Sequence, residues 1–136
     1  MRKNQPYQLL LNRMLVMELT GERLYETLAL KTRDANLKSI YQRLACVEYQ
    51  TSECIRKEMA SINKNSHEIL NGIVPKFSKF LFCLFTEKQL AWILKTILKR
   101  KSYSRWFKVY KDSNQEFWSV LLDHEKLQFE LLGITK

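Results

Sequence analysis

Residues 17–51 read MELTGERLYETLALKTRDANLKSIYQRLACVEYQT. Apolar side chains recur three and four positions apart on both sides of TRDAN, the spacing of one buried helical face. The pattern extends outward to predict a first helix from about Pro6 to Lys31 and a second from Asp34 or Asn36 to about Ile62. Asn4 can cap the first, and Pro6 suits its opening turn. The TRDAN turn is so short that the two helices should lie side by side and antiparallel. The buried seam of the first runs Leu11, Met14, Glu18, Gly21, Tyr25, Leu28. That of the second runs Leu37, Tyr41, Leu44, Glu48, Thr51, Ile55. Both are apolar except near the middle, where a glutamate sits.

The remaining chain repeats the theme after an interruption. Residues 63–66 are a polar break. Residues 67–85 contain Gly72, Pro75 and the apolar run FSKFLFCLF, enough for one or two short helices crossing from one end of the molecule to the other. A third helix is expected from Thr86, where Thr86 and Gln89 have capping-box spacing, to somewhere between Lys101 and Tyr110. Ser113 and Glu116 repeat that spacing and open a fourth helix, which Gly133 ends. Its seam is Trp118, Leu121, Glu125, Gln128, Leu132, again with a glutamate at the centre. The expectation is a single all-α domain over residues 1–136, two antiparallel helix pairs joined by a long crossover.

Composition agrees. Apolar residues make up 46% of 136, and there are only three glycines and two prolines, too little punctuation for strands and hairpins. Cys46, Cys54 and Cys83 are odd in number and form no CxxC, which argues against a disulfide framework or zinc knuckle and for reduced thiols in the cytoplasm. On the second helix Cys46 and Cys54 read as packing residues. Arg13 interrupts the first apolar run, so no signal peptide is expected, and no run of about 20 apolar residues is present to span a bilayer. The sequence has no glycine-rich phosphate loop, GxGxxG or GxSxG.

A lone seam glutamate reads as a boundary residue reaching water. Three on separate seams are harder to read that way, because a buried carboxylate is costly unless paired, protonated or bound to metal. Glu18, the Tyr-x-x-Leu-Ala of residues 25–29, the turn, and the Leu-Ala-x-x-Glu of residues 44–48 together resemble the rubrerythrin branch of the ferritin-like superfamily. The likeness is closest to ferritin-like domains found beside membrane domains of the vacuolar-iron-transporter type. The resemblance implies a four-helix bundle with a di-metal centre. It makes Glu18 a first-helix ligand and Glu48 and Glu125 the openings of two Glu-x-x-His motifs. Thr51 and Gln128 stand where the histidines belong, and no acidic residue lies between Glu87 and Asp112 to supply the third-helix carboxylate.

Threonine and glutamine are weak ligands for iron or manganese. His67 falls in the crossover, and His124 is roughly 100° around the helix from Glu125. The centre is therefore expected to be degenerate, and the chain to be a non-catalytic module without a cofactor. The alternative is an iron- or manganese-binding oxidoreductase or iron-handling protein with an altered ligand set. In order of preference, the glutamates would be held by an ion pair with a third-helix base such as Arg100, by protonation, or by one residual metal on Glu18, Glu48 and Glu125 with help from Glu22 or Gln128. In place of the missing carboxylate the third helix offers Lys95, Lys99, Arg100, Lys101 or Tyr103.

The formal charge is +9, from 23 basic and 14 acidic residues, which suits an anionic partner. Residues 88–111 hold eight basic and no acidic residues, interleaved with Trp92, Tyr103, Trp106, Phe107 and Tyr110. One reading is a helix with an aromatic core and a solvated basic face. The other is a surface for an anionic membrane, with Lys95, Lys99, Arg100, Lys101, Arg105 and Lys108 meeting headgroups. The expected partner is a protein, an identical subunit or such a membrane, with the protein cytoplasmic and peripheral. Nucleic acid ranks below these, because no recognised binding signature accompanies the charge.

Overall fold

The computed structural model describes residues 5–62, 69–100 and 103–134, with side chains described at 6–62, 76–100 and 103–134. The described residues form helices α1 (Gln5–Lys31), α2 (Ala35–Ile62), α3 (Ile69–Cys83), α4 (Glu87–Arg100), α5 (Tyr103–Tyr110) and α6 (Gln115–Leu132), with no strand among them. The protein is all-α.

The turn at residues 32–34 folds α2 back along α1. Tyr25 lies against Tyr41, and Gly21 against Glu48, so the two run antiparallel. Asp34 caps α2, its Oδ1 accepting the N–H groups of Asn36 and Leu37 at 2.9 and 3.2 Å. Among the described residues the crossover is one helix, α3, packed along α1. Lys31 at the end of α1 donates to the carbonyl of Cys83 at 2.9 Å and to that of Phe85, tying the two C-terminal ends together. The chain then returns along α1: Leu90, Leu94 and Leu98 of α4 pack with Leu24 and Leu28, and Tyr110 of α5 reaches Tyr7. Helix α6 runs against α2, with Asn114 at Glu58 and His124 at Thr51.

The expected third helix is described as α4 and α5, and residues 101 and 102 between them lie outside the described residues. Leu98 of α4 and Tyr103 of α5 are both buried. One expectation needs correction: the cap of α6 is Asn114 rather than Ser113. Asn114 has extended backbone (φ −165°), and its side chain accepts from the Phe117 N–H at 3.1 Å. The Ser113 N–H instead closes the preceding turn on Tyr110. The Thr86–Gln89 box does form, with reciprocal bonds of 2.9 and 3.2 Å. Gly133 ends α6 at φ +64°, where a side chain would be strained. Asn4 lies outside the described residues.

Among the described residues the core falls into two apolar clusters. One gathers around Leu11, Met14, Ile55 and Trp118, and is closed by Tyr110, which stacks on both Tyr7 and Trp118. The other gathers around Leu24, Leu28, Leu44 and Leu94.

Candidate functional site

Between those clusters lies a buried polar layer. Glu18 of α1, Glu48 of α2 and Glu125 of α6 are 1%, 3% and 5% exposed, and Thr51 and Gln128 are buried with them. All five stand on the seams expected from three-four spacing, which is why the helices turn them inward. The fourth side of the layer is Tyr103, the first residue of α5, whose hydroxyl donates to Glu18 Oε1. Burial holds its phenol well above the usual tyrosine range. The charge of Glu18 adds to this, and Glu48 and Glu125 push the same way. Tyr25 is raised likewise, by burial first and then by Glu48. Gln128 faces the Tyr25 hydroxyl, but short of hydrogen-bond geometry, so that buried oxygen has no partner.

Tyr103 occupies the place where an ion pair with Arg100 was expected. Arg100 is exposed at the end of α4, and the group reaching the glutamates is a neutral phenol. A phenol loses less hydration than a guanidinium on burial and still supplies a proton to a carboxylate. Glu22, expected to help Glu18, is half-buried among Glu26, Arg23 and Arg56. Its carboxyl is raised by burial and then by Glu26.

The expectation for His124 also changes. It is half-buried and its Nδ1 contacts the Thr51 hydroxyl across α2 and α6. Thr51 directs its own proton to the Val47 carbonyl at 2.8 Å, which leaves the Nδ1–H of His124 as donor. His124 lies off the seam, yet its side chain still reaches the neighbouring helix. His67 lies outside the described residues.

Among the described residues, no group of three or more His, Cys, Asp or Glu side chains is arranged to hold a metal ion. Threonine and glutamine at the expected imidazole positions, and a tyrosine on the fourth side, do not fit a two-ion centre.

The basic stretch is exposed at Lys95, Lys99, Arg100, Arg105 and Lys108, and Lys101 lies outside the described residues. Its aromatics mostly face inward. Tyr103 is buried, and Trp106, Phe107 and Tyr110 pack on the first cluster, leaving Trp92 as the exposed one. Arg105 lies 5.7 Å over the ring of Trp106. The uncovered apolar surface is instead on α3 and the turn after it, where Phe77, Phe80 and Leu84 are 61%, 65% and 70% exposed. Cys54 packs on the first cluster as expected, whereas Cys46 is exposed. Among the described residues no helix is long and apolar enough to cross a membrane.

Signals for the two buried tyrosines were present but weak. Tyr25 sits on the first seam, seven residues after Glu18. Tyr103 is one of five third-helix residues on offer in place of the missing carboxylate, and nothing in the sequence chooses it over Lys95, Lys99, Arg100 or Lys101. No family model, curated protein or solved structure matches the chain.

Proposed function

We propose that the chain is a ferritin-like module of the rubrerythrin kind, with its metal centre replaced by a carboxylate–phenol core, and that it works by binding an anionic membrane surface. The order of the helices supports the ancestry: an antiparallel pair, a crossover along α1, then α4–α5 and α6. The placement of Glu18, Glu48 and Glu125 near Tyr103 supports it as well. The observation that carries the binding role is the stripe of Phe77, Phe80 and Leu81 on α3 and Leu84 just after it, left uncovered, with Lys76 and Lys79 exposed beside it. A monomer leaves so many large apolar groups on one helix face where something else is meant to cover them. Lysines beside aromatics suit acidic headgroups over acyl chains. The overall charge of +9 draws the protein to the same surface.

Co-sedimentation with vesicles tests this. Binding is expected to vesicles containing phosphatidylserine and not to phosphatidylcholine alone, to weaken with added salt, and to be lost in Phe77→Ser/Phe80→Ser. Failure to bind acidic vesicles at low salt overturns the membrane role, and a concentration-dependent dimer abolished by the same substitutions would assign the stripe to a second copy. Stoichiometric iron or manganese in the purified protein, lost in Glu48→Ala, would overturn the reading of the core.

A further inference from the structure

Beside the polar layer, α1, α2 and α4 enclose a cavity of about 330 Å³. Its walls are apolar, built from Met17, Leu24, Leu94, Ile97 and Leu98. At its inner end are Glu48 and Tyr25, both buried. Gly21 opens the way to them. A Cβ there would come within 3.0 Å of Glu48 Oε2, and its absence leaves the carboxylate reachable from the cavity. The Tyr25 hydroxyl at this end has no hydrogen-bond partner, an unusual state for a buried polar group.

We propose that this cavity binds a small organic amine with an apolar body. The volume is at the small end of ligand pockets, which combine apolar walls with a few placed polar groups. A protonated amine carries several N–H donors. One would form a charge-assisted bond to Glu48, and a second would be accepted by the idle oxygen of Tyr25. A carboxylate would meet Glu48 with like charge, and an alcohol can donate to Glu48 and accept from Tyr25 but brings no charge of its own, so its bonds are weaker. Arg100 stands at the rim, exposed, where water screens it from a cation already inside.

This site involves neither α3 nor the membrane reading, so each can fail alone. Calorimetric titration of the full chain with phenethylamine, phenethyl alcohol and hydrocinnamate tests it. The amine is expected to bind at one site, about tenfold or more tighter than the alcohol, with hydrocinnamate not binding. Glu48→Gln should lower amine affinity about tenfold and leave the alcohol unchanged. Ile97→Trp, at a wall position that is 36% exposed, should block both. Should Glu48→Gln fail to fold, Ile97→Trp and the three-probe ranking still decide. No amine binding, equal binding of all three probes, or amine binding undisturbed by Ile97→Trp overturns the proposal.

Discussion

Tyr103 is the residue on which the buried layer turns, because it offers a proton to a carboxylate that the apolar clusters above and below cannot satisfy. Removing its oxygen in Tyr103→Phe leaves Glu18 short of a donor inside the protein. A loss of about 1.5–3 kcal/mol is expected in urea denaturation at neutral pH. The same residue makes stability depend on alkali. The folded chain holds this phenol neutral well past the usual 10.0, while an unfolded chain releases the proton near that value. Above about pH 10 the unfolded state therefore binds fewer protons, and stability falls as pH rises. The contribution is complete below pH 10 and disappears as pH climbs toward the folded value. A denaturation series across that window should fall more gently for Tyr103→Phe than for the parent. Parallel slopes would show that Tyr103 is not held neutral by the fold.

Each helix end shows how local chemistry chooses a boundary among nearby candidates. Asn114 does two jobs at the start of α6. Its Oδ1 accepts from the Phe117 N–H, and its Nδ2 donates to Glu58 Oε2 at 2.7 Å, joining α6 to the far end of α2. Serine at 113 could have capped equally well by propensity. Only asparagine carries an acceptor for the helix and a donor for Glu58 on one side chain. Asn114→Ala should cost about 1–2 kcal/mol in chemical denaturation. Asn114→Asp keeps the acceptor but sets a carboxylate against Glu58, and should fall between the two at neutral pH. If the aspartate variant matches the parent, the link to Glu58 contributes nothing.

At the scale of the molecule, a polar layer between two apolar clusters is a poor way to gain stability. Buried ionisable groups often add less than apolar residues of the same shape. Glu18→Met, Glu48→Met and Glu125→Met combined with Tyr103→Phe should therefore give a protein at least as stable as the parent in thermal denaturation. Glu18→Met alone should lose about 1–3 kcal/mol, because the Tyr103 hydroxyl then stays buried without its acceptor. A single substitution as stable as the fourfold one would mean the layer is not a coupled network.

The amino-acid sequence determined the helical class, the antiparallel first pair, the apolar crossover and the inward phase of Glu18, Glu48, Thr51, Glu125 and Gln128. These follow from three-four periodicity and short turns, which act along a few residues at a time. The tertiary structure alone decided what meets those glutamates. Tyr103 reaches Glu18 from 85 positions away in the chain, while Arg100 is exposed. The contact of His124 with Thr51, the inward turn of Trp106 and Tyr110, and the cavity behind Gly21 likewise depend on how separate helices lie against one another. Periodicity states which way a side chain faces on its own helix, but not which partner the rest of the chain brings to it.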